Sequence, residues 1–468
     1  MPPSDRPESH EPDGDRSARA LALALSGATD TRALLAGEGV LAQAGAVLVD
    51  TFGPDAGAVL VADTTTWEVA GAQVQSSLRQ AQVPLGDPLV LPGMPTVYAG
   101  YENVERVREH LRARPGVPVA IGSGTLNDLV KLAASELGRP SMVVGTAASM
   151  DGYAAYGASI SIDGFKNTRY CPAPAVVVAD YTVMAAAPGR LTASGFGDLI
   201  EKVPAGADWM IADALGVEAI DDGVWHLVQD PLRASLADPD LIAAGELGAI
   251  SRLADGLLMS GLAMQAHRSS RPASGAGHQF SHLWEMEGLG LDREPPLTHG
   301  MKVGLGTIAL CALYEVLLRR DLTALDIDGA LAAWPSWEQM EARVRGAALP
   351  PPVAAAAVAE CRAKYLPRER LRERLLLLVD RWPSLSAQLA AQLLPASEIE
   401  ERLRAVGAVT HPSQIGLGEA RFRATHARAQ LIRSRYTVLD LLVETNLLRE
   451  CVAELFAPGG FWSARPWS

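Results

Sequence analysis

The chain has 468 residues, 48% hydrophobic and 20% charged, with a formal net charge of −13. That composition is globular, and the length fits two or three domains better than one core. The acidic balance, with no Lys/Arg block, excludes a protein that tracks a nucleic-acid backbone and disfavours adhesion to anionic membranes.

Residues 1–20 read as a disordered polar tail rich in Pro, Asp, Glu and Ser, without a signal-peptide core; a helix begins near Ala18. From about residue 57 to 180, short apolar runs at 58–62, 88–91, 117–121, 141–144 and 175–179 alternate with helical stretches such as 103–114 and 126–137. This alternation predicts an α/β nucleotide-binding domain over 21–189, built on a parallel, doubly wound sheet. Pro188 and Gly189 punctuate its end. Beyond 190 the strand signal disappears, and helical periodicity covers 197–215, 240–265, 278–288, 299–319 and 368–380. Residues 190–468 are therefore expected to form an all-α metal and substrate domain with a C-terminal helical extension. The Pro run at Pro350, Pro351 and Pro352 is expected to open an added helical element or an oligomer contact. The longest uncharged run, 382–397, is interrupted by Pro, Ser and Gln and falls short of a bilayer span. Cys171, Cys311, Cys361 and Cys451 form no CxxC pair, as expected of free thiols in a reducing cytoplasm.

Two segments at the ends of predicted strands could carry a ligand. Gly122, Ser123, Gly124 and Thr125 stand between a strand and a helix, where backbone N–H groups and the helix terminus suit a pyrophosphate; a merely tight turn is the equal alternative. Thr146 to Gly152 follows the next strand and contains Ser149 and Asp151; alone, it reads more readily as a turn, and two such segments on consecutive strands favour a shared site. Further on, Asp198 and Lys202, and His278 and His282, are spaced i, i+4, so each pair shares a helix face. The plain alternatives are a solvated ion pair and two ordinary histidines. His299, behind Thr298 as an expected N-cap, opens a long apolar helix. One carboxylate and two imidazoles, Asp198, His278 and His299, suit a borderline divalent metal and leave a coordination position open for a substrate oxygen. The other histidines, His10, His110, His226, His267, His411 and His426, read as structural or surface residues.

Taken in order, these segments resemble the glycerol-1-phosphate dehydrogenase branch of the iron-containing alcohol dehydrogenase and dehydroquinate synthase-like superfamily, over roughly residues 35 to 320. The resemblance implies an N-terminal α/β nucleotide domain and a C-terminal helical metal domain. It implies that Gly122, Ser123, Gly124, Thr125, Asn127, Asp128, Thr146 and Ser149 hold NAD or NADP. Asp198, His278 and His299 would ligate one divalent metal, zinc first, with nickel or iron accepted by the same ligands. Asp151, Asp198, Lys202 and His282 would serve the substrate, a small polyol or ketose phosphate. The implied reaction interconverts dihydroxyacetone phosphate and sn-glycerol 1-phosphate in a cytoplasmic enzyme, with a homo-oligomer allowed. Lys202, Arg271 and Lys166, in that order, are the expected cationic partners of the phosphate. Asp63, at the end of the first strand, leans toward NAD because it would repel a 2′-phosphate.

Two departures stand out: Ala155 replaces a Ser that contacts the cofactor in many relatives, and Gly277 replaces a Glu often found before the first His. The alternatives are a sugar-phosphate cyclase of the dehydroquinate synthase type and a specialised-metabolism polyol dehydrogenase.

Overall fold

Short runs of Val, Leu, Ile and Ala pair in parallel to form the central sheet of a computed structural model, which describes residues 13–162 and 165–467. Its strands are β1 (Ala33–Gly37), β2 (Ala58–Asp63), β3 (Leu89–Leu91), β4 (Val117–Gly122), β5 (Met142–Gly145) and β8 (Val176–Asp180), in the order β1-β8-β5-β4-β2-β3. A separate antiparallel hairpin joins β6 (Ala158–Ile162) to β7 (Phe165–Arg169). Five strands fall on the apolar runs seen in the sequence. β1 does not announce itself: Ala33 to Gly37 has no β-branched residue and is only half-buried at the sheet edge.

Helices cover both faces of the sheet, and successive residues of β2 enter different cores. Val59 and Val61 face the core shared with the helical half, while Ala58, Leu60 and Ala62 face a second, smaller core. One sheet face therefore shares its core with the helices that follow β8. The chain steps from β2 outward to β3, then returns to the other side of β2 for β4. That reversal puts the topological switch point between Asp63 and Gly122, where open α/β sheets take ligands.

No strand follows β8 among the described residues. The stretch read as one helix over 197–215 is two, Gly189–Ile200 and Lys202–Ala214, meeting at Glu201. The stretch 240–265 is Pro239–Ala243 and Leu247–His267, separated near Gly245, which has φ +70°. The chain is already helical from Asp13 to Ser26, inside the segment read as a tail, and Ser17 Oγ donates to the Asp255 carboxylate. Helices Leu247–His267 and His299–Leu318 are long and apolar enough to cross a membrane, yet both lie mostly inside the fold. The second is packed by Gly189–Ile200 and Ala276–Met286, and by Ala396–Ala405 and Leu448–Phe456 of the C-terminal extension. A helix enclosed on every side has no polar face to present, which explains why it is apolar all round.

Candidate active site

Glycine lets two helix backbones approach within a side chain's width. A Cβ on Gly300 would lie 1.8 Å from the Ser194 carbonyl oxygen, and one on Gly197 would lie 2.3 Å from the Gly300 oxygen. Gly195 plays the same part toward the Thr146–Gly152 loop, where an added Cβ would meet the Ala148 oxygen at 1.9 Å. These contacts place Asp198, on helix Gly189–Ile200, beside His299, the first residue of helix His299–Leu318. His278, near the start of helix Ala276–Met286, closes the group.

The donor atoms of Asp198, His278 and His299 all lie within 4.8 Å of one another. His278 Nε2 is 3.3 Å from Asp198 Oδ1, and the His278 and His299 rings stand 5.4 Å apart. Asp198 is fully buried; burial opposes its charge, but the Lys202 ammonium and His278 outweigh this and hold the carboxyl well below the usual range. Lys202 Nζ donates to Asp198 Oδ1 and to the Asp198 carbonyl, both at 2.9 Å, and lies 2.8 Å from Asp151 Oδ2. The Asp151 N–H in turn donates to Asp198 Oδ2 at 3.0 Å, and Ser260 Oγ donates to Asp151 Oδ2 at 3.0 Å. Asp151 is thereby fixed next to the three-residue set. His282, one turn beyond His278, has its ring 5.9 Å from that of His278 and 5.6 Å from that of His299. Burial pushes its imidazole below the ordinary range, so it is neutral at physiological pH.

Behind the set stand two carboxylates that the sequence reading passed over. Glu201 Oε2 is 2.8 Å from His278 Nδ1, and Glu285 Oε1 is 3.0 Å from His299 Nδ1. A carboxylate on Nδ1 fixes the tautomer and turns Nε2 toward a metal, as ligating histidines require. Burial works against a charged His278, but the Glu201 carboxylate and its bonds to Asp198 and Glu201 push it up to about 9. Loading a metal therefore displaces a proton from this pair. Glu201 also explains Gly277: a Cβ there would lie 2.8 Å from Glu201 Cγ and 3.1 Å from its Oε1. The available signal was the Glu three residues after Asp198 and the Glu three residues after His282. We expect Glu201→Gln, which still accepts from Nδ1 but lacks the charge, to weaken metal affinity about 10- to 100-fold with little change in melting temperature. Metal titration beside thermal unfolding checks this, and unchanged affinity would remove Glu201 from the site.

On the sheet side, β4 ends at Gly122, paired with Gly145 of β5, and helix Gly124–Glu136 starts immediately after Ser123. Ser123 is the N-cap, but its hydroxyl makes no capping bond, so the first N–H groups of the helix lack a side-chain cap at the carboxyl end of β4. Thr125 lies in the helix's first turn. Asn127 Oδ1 is buried without a hydrogen-bond partner among the described residues, while its Nδ2 donates to the Gly152 oxygen at 3.1 Å. Asp128 turns the other way: its Oδ2 accepts from Ser159 N at 2.9 Å, and Lys131 Nζ lies 3.1 Å from its Oδ1. Thr146 and Ser149 are both buried, and Ser149 Oγ is 3.3 Å from the Tyr153 hydroxyl. Asp63 caps the short helix Thr64–Thr66 by accepting from Thr66 N at 2.7 Å. Thr298 occupies the N-cap of the His299 helix without a side-chain capping bond.

Two of the three expected phosphate partners are committed elsewhere. Lys202 is fully buried and its three N–H groups face three oxygens, so none remains for a ligand. Arg271 is also buried: Nη1 donates to the Tyr436 oxygen and Nη2 to the Asp208 oxygen, both at 2.8 Å, and Nε is 3.4 Å from Glu218. It ties the C-terminal extension to the helix that follows Glu201. The Lys166 side chain lies outside the described residues.

This architecture is that of the iron-containing alcohol dehydrogenases, a dehydroquinate synthase-like fold. Residues 35–188 match the family model described as iron-containing alcohol dehydrogenase. Among solved structures, glycerol dehydrogenase from Schizosaccharomyces pombe aligns over 92% of both chains with TM-score 0.57 and 16% identity. Maleylacetate reductase from Agrobacterium tumefaciens aligns over 90% of this chain and 96% of its own, with TM-score 0.57 and 15% identity; at such identities the likeness is one of fold. Sequence narrows the class. Glycerol-1-phosphate dehydrogenase [NAD(P)+] from Halalkalibacterium halodurans is 29% identical over 82% of this chain and 86% of its own length. The enzyme of that name from Bacillus subtilis is 36% identical over 56% and 67%, and that from Methanosarcina barkeri 35% over 60% and 76%. The chain belongs to the glycerol-1-phosphate dehydrogenase family.

Proposed function

We propose that the protein is a metal-dependent, NAD(P)-linked dehydrogenase that interconverts dihydroxyacetone phosphate and sn-glycerol 1-phosphate. The observation that carries this reading is the Asp198, His278 and His299 set, with a carboxylate behind each imidazole and Asp151 of the loop after β5 bonded to Asp198. The donor chemistry fits a divalent metal, zinc first, and the two oriented histidines fit a site built for one. The uncommitted N–H groups beyond Gly122 and the unpartnered Asn127 Oδ1 fit a nicotinamide dinucleotide. When bound, the metal supplies Lewis-acid polarisation of the ketone oxygen and the cofactor supplies hydride.

The chain's own residues do the rest. The turn from Gly122 to Thr125 holds the diphosphate through backbone N–H groups, with Thr146 and Ser149 lining the neighbouring strand end. Asn127 offers Oδ1 to the cofactor while its Nδ2 braces the Gly152 turn, and Asp128 acts at one remove through the hairpin. Lys202 keeps Asp198 ionised as ligand and holds Asp151 at 2.8 Å as partner to a substrate hydroxyl. Reduction adds hydride to the carbonyl carbon and requires a proton at its oxygen. His282, beside both ligating histidines, is the group we assign to relay it, giving up its one N–H proton as its other ring nitrogen takes a replacement from solvent. Asp63 puts negative charge at the crevice edge, where a 2′-phosphate would sit, which favours NAD. Four buried free cysteines fit a reducing cytoplasm.

The assay is nicotinamide absorbance with dihydroxyacetone phosphate, run with NADH and NADPH after zinc, nickel or iron loading. Steady NADH oxidation, with sn-glycerol 1-phosphate as product, is the expected result. Phosphate release without net NADH change would replace this reading with a cyclase.

A further inference from the structure

We propose that Arg433, seconded by Arg435, is the anchor for the substrate's phosphate, supplied by the C-terminal extension. This rests on the phosphorylated-ketose reading above and adds the residue that reading lacks, since Lys202 and Arg271 are committed elsewhere.

Residues 433–437 join the short turn Gln430–Ile432 to helix Val438–Glu444 and lie against the loop and helix that carry His278. Five hydrogen bonds hold this segment and the adjoining Val438 there. Arg271 Nη1 donates to the Tyr436 oxygen at 2.8 Å, and the Val438 N–H donates to Asp208 Oδ1 at 2.8 Å. Gln279, next to His278, donates to the Arg435 oxygen at 3.3 Å. Arg435 itself donates to the Ser274 oxygen at 2.7 Å and to Ser270 Oγ at 2.8 Å, in the loop that leads into His278.

The backbone at Arg433 is extended, with φ −146° and ψ 145°, and in extended chain alternate side chains share a side. Ser434 is exposed, and the Tyr436 hydroxyl turns into the extension to donate to Glu444 at 2.6 Å. Arg435 takes the opposite side, toward the loop that leads into His278, and alternation assigns Arg433 to the same side. The charge of Arg433 is felt at His282, where it adds to the effect of burial in disfavouring the imidazolium.

The carboxylates of this cluster serve the other two arginines. Glu218 is 3.4 Å from Arg271, where Asp208 and Asp440 also act, and Glu218 and Glu201 act on Arg435. Burial first, and then the Arg271 charge, push the Arg435 guanidinium down to about 10. Arg433 is half-buried, and among the described residues it has neither a carboxylate within ion-pair distance nor a hydrogen-bond acceptor. A half-buried guanidinium without a counter-charge is costly unless a ligand provides one. Its planar fork matches two oxygens of a phosphate monoester.

The test compares the wild-type enzyme with Arg433→Met and Arg433→Lys, using dihydroxyacetone phosphate, dihydroxyacetone and NADH, with inorganic phosphate as competing anion. In Arg433→Met we expect the preference in kcat/KM for dihydroxyacetone phosphate over dihydroxyacetone to fall about 10- to 100-fold, the size of one charge-assisted hydrogen-bond pair. The inhibition constant of inorganic phosphate should rise by a similar factor, and Lys should restore part of both. Equal losses on the two ketones would overturn the anchor. A rise confined to the KM for NADH would also overturn it, by assigning Arg433 to the cofactor's diphosphate. A wild-type enzyme that ignores dihydroxyacetone phosphate would instead sink the substrate reading itself.

Discussion

Replacing Asp198 by Asn is expected to abolish tight metal binding and to lower turnover by roughly 10³-fold or more. The substitution keeps the side chain's shape but removes the only anionic donor in the set. Lewis-acid stabilisation is worth several kcal/mol, and each 1.36 kcal/mol is a factor of ten. Lys202 retains Asp151 at 2.8 Å, so the buried ammonium is not left without a counter-charge and the fold should survive. Metal content after dialysis, turnover with dihydroxyacetone phosphate and a melting curve, measured on one preparation, separate the loss of metal from a loss of fold. Full turnover in a metal-stripped Asp198→Asn protein would end the metal hypothesis.

Gly300→Ala should damage the same site without touching a ligand. The new Cβ would stand 1.8 Å from the Ser194 oxygen and 2.6 Å from its carbonyl carbon. Both are backbone atoms, so no rotamer change relieves the clash and the two helices must separate. Overpacking of this kind costs about 1–3 kcal/mol and often more. Because His299 is the residue before Gly300 and Asp198 lies on the opposing helix, separation also widens the ligand set. We expect a lower melting temperature together with weaker metal affinity. Gly304→Ala is the milder comparison: its Cβ would meet the Leu403 side chain at 2.9 Å, which can turn away, and the nearest backbone atom, Gly197 Cα, only at 3.3 Å. A Gly300→Ala protein with wild-type melting and metal binding would show that the backbone contact does not set the geometry.

The parallel sheet was legible because β2, β4, β5 and β8 are short apolar runs separated by helical spacing, the signature of strands buried on both faces. β1 and the β6–β7 hairpin were not: the first is a half-buried edge, and the second alternates around polar residues such as Ser159 and Ser161. The identities of Asp198, His278 and His299 were likewise visible, since residue type alone limits what can ligate a metal. The supporting carboxylates were visible as letters but not as partners. Nothing in the spacing says that Glu201 faces His278 across 77 residues.

The sequence by itself determined the class of chemistry, through three donor residues and a glycine turn after a strand, because side-chain chemistry and strand periodicity are local properties. Only the tertiary structure decided how charge is spent. It turned Lys202 from a phosphate partner into the cation shared by Asp151 and Asp198, and buried Arg271 as a strut. It also carried Arg433, 151 positions along the chain from His282, toward that histidine's helix. The reason is physical: a charge's role depends on which opposite charges and how much water surround it, and long-range packing alone fixes both.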